Sequence, residues 1–157
     1  MKISYNWLKS YIEIDENPEK IASVLTQLGL EVSGIEKFSS IEGGLENFVI
    51  GEVLTCEKHP NADRLTLTTV KISENDVYQI VCGAPNVAQG QKVVVALPGA
   101  VINKGSETFE IKKSKIRGIE SNGMICAEDE LGIGTSHDGI LVLPEDVPIG
   151  KKAADYF

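Results

Sequence analysis

The sequence offers little from which a catalytic or metal centre could be built. Histidine occurs twice, at His59 and His137, and cysteine three times, at Cys56, Cys82 and Cys126. No two cysteines form a Cys-x-x-Cys pair, and a four-ligand zinc site would have to draw on distant parts of the chain. Three thiols in apolar, strand-like stretches fit reduced, buried side chains in a cytoplasmic protein better than a disulfide framework. No apolar run approaches the roughly 18 residues that cross a bilayer, so no membrane partner is expected. The opening Met1-Lys-Ile-Ser-Tyr-Asn-Trp7 lacks the apolar core and cleavage site of a signal peptide. Aromatic residues make up 6% of the chain, too few for an evident platform of stacked bases. Neither Gly-x-Gly-x-x-Gly nor Gly-Lys-Ser/Thr occurs, so a nucleotide phosphate loop is not indicated.

Positive charge is also scarce. Against 23 Asp and Glu stand 15 Lys and Arg, a net charge of −8. That balance by itself argues against nucleic acid, because RNA binders usually carry a basic footprint. The distribution is more informative. Residues 101–119 carry four Lys and one Arg against two Glu, whereas residues 120–146 carry seven acids and no cation. Four cations fall within six residues, at Lys112, Lys113, Lys115 and Arg117. Read as part of a strand over Phe109–Arg117, alternation puts Lys113, Lys115 and Arg117 on one side, roughly 7 Å apart, a spacing suited to successive phosphates. The bland alternative is a solvated strand followed by a turn. Without aromatics, the strip favours a folded RNA met through shape and backbone over single-strand reading.

What is present otherwise is a punctuated pattern of short elements. Ser4 can cap a short helix in which Trp7, Leu8, Tyr11 and Ile12 share a face. Asn17 and Pro18 open a second helix, Ile21, Val24, Leu25 and Leu28 give it a stripe, and Gly29 stands where it should end. Leu30–Ile35 alternates like a strand. Residues 1–38 thus read as a small α/β domain, too short to hold a core alone and expected to dock on something else. A linker is expected over Ser39–Gly44. From there to Phe157 a second domain reads as strands over Phe48–Cys56, Leu65–Ile72, Val77–Cys82, Lys92–Leu97, Phe109–Arg117 and Gly123–Ala127, with one helical turn at Glu128–Leu131 and a last strand at Ile140–Leu143. Gly51 marks a bulge or bend. Mainly β composition with about five principal strands fits a five-stranded oligonucleotide/oligosaccharide-binding (OB) barrel.

Three constellations have plainer explanations than chemistry. His59-Pro-Asn-Ala-Asp63 could pair a catalytic His with an acid, but a His beside Pro in a turn is more often structural. Gly83-Ala-Pro-Asn86 could cradle a phosphate, yet reads as a turn. Asp129, Glu130 and Asp138 could attract Mg²⁺, but acids this scattered usually form a solvated face.

Seven blocks, in order and over the whole chain, carry a resemblance. They are Met1-Lys-Ile-Ser-Tyr-Asn-Trp-Leu-Lys9, Gly29-Leu-Glu-Val32, His59-Pro-Asn-Ala-Asp63, Gln79-Ile-Val-Cys-Gly-Ala-Pro-Asn-Val87, Val95-Ala-Leu-Pro-Gly-Ala100, Lys115-Ile-Arg-Gly-Ile-Glu-Ser-Asn-Gly-Met124 and His137-Asp-Gly-Ile140. The chain resembles the N-terminal part of the β subunit of bacterial phenylalanine–tRNA ligases. Its second domain is similar to the tRNA-binding barrel appended to methionyl-tRNA synthetases and found in free-standing tRNA-binding proteins. The resemblance implies a two-α, two-β enzyme that joins phenylalanine to tRNA(Phe) with ATP and Mg²⁺. Its aminoacylation centre would lie in the α subunit, and its editing and anticodon-binding parts beyond residue 157 of a longer β subunit. It implies no catalytic residue, metal or cofactor in these 157 residues. The matching RNA surface is His59, Asn61, Arg64, Asn86, Lys112, Lys113, Lys115, Arg117 and Ser121. Two rivals stand beside it: a structural barrel that buttresses the synthetase with little RNA contact, and a free-standing tRNA-binding protein.

Overall fold

The computed structural model describes residues 1–36, 41, 44–104 and 107–157, with the Lys104 side chain left aside. The chain divides into two compact units, Met1–Phe38 and Ser39–Phe157. Apart from Ile41 and Gly44, the expected linker lies outside the described residues.

The first unit is built on capping chemistry. Helix α1 (Tyr5–Lys9) begins at Ser4, whose Oγ accepts from the Trp7 N–H at 3.3 Å. Helix α2 (Pro18–Gln27) begins at Asn17, whose Oδ1 accepts from the Lys20 N–H at 2.8 Å. It ends in a Schellman motif: the Leu30 N–H reaches the Leu25 carbonyl and the Gly29 N–H the Thr26 carbonyl. The strand expected at Leu30–Ile35 does not form. The Val32 N–H is taken by Thr26 Oγ1 at 3.1 Å, and the described residues of this unit include no other strand to pair with. Of the expected common face of Trp7, Leu8, Tyr11 and Ile12, the last two lie beyond the end of α1, and Trp7, Tyr11 and Ile12 are more than half exposed.

The second unit is mainly β. Strand β1 (Phe48–Lys58) is 11 residues long and serves two partners. Its first half pairs antiparallel with β4 (Lys92–Ala96), its second with β2 (Thr66–Lys71), and the register shifts between Val53 and Thr55. A strand of this length must coil to meet both neighbours, and the irregularity supplies the bend. Strand β3 (Val77–Cys82) continues the meander from β2. Strand β4 then crosses back to the other side of β1, as the strand order β4-β1-β2-β3 requires.

Closure is made by the segment from β8 (Ile119–Ser121) to β9 (Met124–Ile125). Strand β9 pairs with β4. On the other side the Asn122 N–H donates to the Gln79 carbonyl at 2.8 Å, and Gln79 Nε2 donates to the Glu120 carbonyl at 2.8 Å. Ser121 Oγ accepts from the Val81 N–H at 3.1 Å and donates to the Gly123 carbonyl at 3.0 Å. The result is a nearly closed, OB-like barrel of β1, β2, β3, β4 and this split fifth strand.

Strand β4 is apolar after Lys92, whose Nζ pairs with Glu52 Oε2 at 2.6 Å, because both faces of residues 93–96 are buried. Val93 and Val95 point into the barrel with Val53, Val70, Ile80 and Ile125. Val94 and Ala96 point outward, against a second layer with Phe48, Ile50, Ile102, Cys126 and Leu131. That layer contains the hairpin of β5 (Val101–Lys104) and β6 (Glu107–Glu110), and α3 (Glu128–Leu131). Beyond it β10 (Val142–Leu143) pairs with β4, and a 3-10 turn follows at Ala153–Asp155. Each fully buried Ile, Val or Phe contributes about 1.5–3 kcal/mol of transfer free energy. Cys82 and Cys126 are buried and Cys56 half-buried, all three as free thiols. Burial pushes the Cys82 and Cys126 thiols up from their ordinary range.

Candidate nucleic-acid interface

An OB barrel meets its ligand on the face of its second and third strands, between the loops that join strands one to two (L12) and four to five (L45). Here L12 is residues 59–65. L45 runs from residue 97 to 118 and ends in β7 (Ser114–Ile116), which pairs with β8 as a hairpin. Thr68, Val70 and Ile80 are fully buried inside the barrel, so alternation turns Leu67, Thr69 and Lys71 outward with Gln79 and Val81 across from them. Tyr78 packs on the interior side. The outer strand face between the two loops therefore has no aromatic for stacking, as the low aromatic content suggests.

The expected continuous strand over Phe109–Arg117 is broken. Ile111 still belongs to the β5–β6 hairpin, exchanging backbone bonds with Ala100 and Gly99 at 2.8 Å. Lys112 and Lys113 lie in a connector, and β7 starts afresh at Ser114. The cations therefore do not share one strand face. Lys115 stands in β7 opposite Glu120 of β8. Lys112 pairs with Glu110 at 3.4 Å on the surface, a contact worth at most about 1 kcal/mol. Arg117 occupies the hairpin tip with φ +51°, followed by Gly118 at φ +91°. Two successive positive φ values make a type I′ turn, whose twist suits a two-residue hairpin. Gly118 adopts this freely. An arginine there is strained by about 1 kcal/mol relative to glycine or asparagine.

L12 and the hairpin tip are bonded to each other. His59 is 4% exposed. Its Nδ1 accepts from the Asn61 N–H at 3.1 Å, which leaves the ring proton on Nε2 to donate to the Ile116 carbonyl at 3.2 Å. Asn61 Nδ2 donates to the Arg117 carbonyl at 3.4 Å. His59 is thus a structural residue, as expected of a His beside Pro, and its ring faces backbone. Ser121, 1% exposed, is occupied in closing the barrel. Asn86 is likewise engaged: its Nδ2 donates to the Ile140 carbonyl and its Oδ1 accepts from the Ile140 N–H, both at 2.9 Å. These three sequence candidates position backbone and offer no side-chain group outward. Asn61, Arg64, Lys113, Lys115 and Arg117 are exposed around the L12–L45 junction or its connector, with Lys112 beside them. Lys58, exposed where β1 enters L12, escapes sequence reasoning because it is a single cation in a strand.

Asn86→Ala is expected to cost about 1–3 kcal/mol, because it unpairs two backbone groups of nearly buried Ile140 at once. The shift of the urea midpoint measures it.

The acidic run serves other ends. Glu130 Oε2 accepts from the Ala127 N–H at 2.7 Å at the start of α3, and Asp129 pairs with His137 Nδ1 at 2.9 Å. Two cavities, about 220 and 330 Å³, include Asp129 and Glu130, and Glu128 and Asp138, among their walls. Such walls repel phosphate. Among the described residues no three of His, Cys, Asp and Glu converge as metal ligands, and no helix is long and apolar enough to cross a membrane.

Residues 48–152 match the protein-family model described as "Putative tRNA binding domain". The chain belongs to this family. The tRNA-binding-domain match begins at the first residue of β1 and runs past β10, so it takes in the whole barrel. Over its full length the chain is 62% identical to the phenylalanine–tRNA ligase β subunit of Bacteroides fragilis and spans 19% of that subunit. It is 47% identical to the corresponding subunit of Oceanobacillus iheyensis, of which it spans 20%. The resemblance drawn from the seven sequence blocks is borne out by these relatives. The chain spans about a fifth of their length. Among solved structures, a MetRS-related protein from Pyrococcus horikoshii superposes with a TM-score of 0.52 at 22% identity, covering 76% of this chain and 99% of that one. That likeness bears on the fold alone.

Proposed function

We propose that the chain is a non-catalytic tRNA-contacting module of a phenylalanine–tRNA ligase β subunit, holding tRNA(Phe) through sequence-independent contacts to its phosphates. The observation that carries this reading is the meeting of L12, which bears exposed Asn61 and Arg64, with the hairpin of L45, which bears exposed Lys115 and Arg117, in a tRNA-binding-domain barrel. In this reading residues 1–38 and 39–157 act as two domains, the second bearing the RNA contact. The complete enzyme attaches phenylalanine to tRNA in the cytoplasm, as a two-α, two-β tetramer using ATP and Mg²⁺. That chemistry falls to the α subunit and the rest of the β subunit.

Titrating the chain with tRNA(Phe) tests the proposal. Binding is expected in the micromolar range, with log K falling against log salt by roughly 0.7–0.9 for each phosphate neutralised. A flat salt dependence, or no binding at about 50 mM salt, would refute it.

The net charge of −8 favours a second reading, a barrel that buttresses the synthetase. Deleting residues 39–157 from the full-length enzyme separates the two. Normal tRNA affinity with failed assembly selects the buttress; intact assembly with weakened tRNA affinity selects the RNA contact.

A further inference from the structure

The hairpin tip contradicts its own turn chemistry. A type I′ turn favours Asn-Gly, Asp-Gly or Gly-Gly at its centre. This one has Arg117-Gly118, with the arginine backbone at φ +51°. A residue kept in a poorly tolerated conformation persists only where its surroundings over-determine it. The surroundings here are two side chains from another loop. His59 Nε2 donates to the Ile116 carbonyl at 3.2 Å, and Asn61 Nδ2 donates to the Arg117 carbonyl at 3.4 Å. The Asn61 N–H in turn fixes the His59 tautomer, at 3.1 Å to Nδ1. The three bonds form one latch from L12 to the two carbonyls that flank the Arg117 amide.

His59 is buried and faces backbone, and Asn61, though exposed, commits one of its two amide N–H groups to the turn. Arg117 is exposed, and a guanidinium matches phosphate geometry with two parallel N–H bonds. Holding its backbone in advance removes part of the ordering cost that a flexible loop would meet on binding.

We infer that His59 and Asn61 are positioning residues that act through Arg117: they hold the strained hairpin turn so that its guanidinium is presented, already ordered, to a phosphate of a folded RNA. This rests on the tRNA-contact reading above. Lys113 and Lys115 contribute charge to the same surface but take no part in the latch, whose acceptors are carbonyls of Ile116 and Arg117.

A double-mutant cycle tests it. The chain, Asn61→Ala, Arg117→Ala and the double variant are titrated with tRNA(Phe) at low salt, and the set is repeated with His59→Gln in place of Asn61→Ala. Each latch substitution is expected to weaken binding about threefold to tenfold when Arg117 is present, and less than about twofold when it is alanine. The salt slope should fall by about one unit with Arg117→Ala and with either latch variant, but not further in the doubles. Equal losses in both backgrounds would overturn the inference while leaving the tRNA contact standing. Absence of binding by the unsubstituted chain would overturn both. A readout without RNA keeps the two apart: the ¹⁵N order parameter of the Arg117 amide should drop from about 0.85 to below about 0.6 on Asn61→Ala. An unchanged value would also sink the latch. Arg117→Asn, which suits the turn better, should melt higher than the parent and bind tRNA no better than Arg117→Ala; parental affinity in this variant would remove the role given to the guanidinium.

Discussion

Replacing Lys113, Lys115 and Arg117 together by alanine is expected to lower tRNA affinity roughly a hundredfold at about 0.1 M salt and to flatten the salt dependence by about two to three units. The magnitude follows from counterion release, in which each neutralised phosphate contributes 0.7–0.9 of a log unit per decade of salt. It is an upper figure, since Lys115 stands opposite Glu120 and already meets part of its countercharge within the hairpin. Fold stability should change by less than about 0.5 kcal/mol, because all three side chains are exposed and none caps an element. The structure also supplies a competing role for the lysines. Among the described residues β7 pairs only with β8, so its outer edge is open, and lysine on an open edge discourages association with another strand. If that were their whole purpose, the triple variant would keep its tRNA affinity and begin to aggregate. Fluorescence anisotropy and light scattering on the same samples decide between the two, and unchanged anisotropy would discard the basic strip as an RNA contact.

The barrel was legible because its signals are local. Alternation and Gly/Pro turns place β1 to β4 to within two residues at each end, and β4 announces itself as an almost fully apolar run. The site was legible as a composition and illegible as a geometry. The basic strip looks like one strand because Phe109–Arg117 alternates, and nothing in the sequence shows that Ile111 is committed to Ala100 and Gly99 of the preceding turn. Ser121 and Asn86 carry no mark of their actual work, which is to replace ladder bonds with side-chain bonds to residues 40 and 54 positions away. His59 presents the same difficulty: its partner, the Ile116 carbonyl, is 57 residues distant. Long-range backbone acceptors leave no periodic trace. In the first unit the alternation of Leu30–Ile35 is real but has no described strand beside it, and alternation without a neighbour does not make a strand.

Gly123→Ala should be the most damaging single substitution in the barrel. A Cβ at this position would lie 2.7 Å from the Ala96 carbonyl oxygen, and the backbone sits at φ +141°, which L side chains rarely adopt. Ala96 is fully buried in β4, so the strand cannot step aside without disturbing the layers on both its faces. The cost is expected to be about 3 kcal/mol or more, with a fall in Tm of roughly 6–12 °C for a chain of this size. The loss should extend beyond stability. Gly123 joins β8, which carries the hairpin, to β9, which pairs with β4, and its carbonyl accepts from Ser121 Oγ at 3.0 Å. Displacing this junction loosens the bonds of Ser121 and Asn122 to β3, and the L45 hairpin then loses its fixed base. RNA affinity should fall with closure, even though residue 123 is buried and touches no ligand. Gly118→Ala is the control, since it also has a positive φ but nothing within 4 Å of a new Cβ. It should cost about 1 kcal/mol, the backbone term alone. Thermal melts that ranked the two alike would show that close approach to β4 is not what closes the barrel.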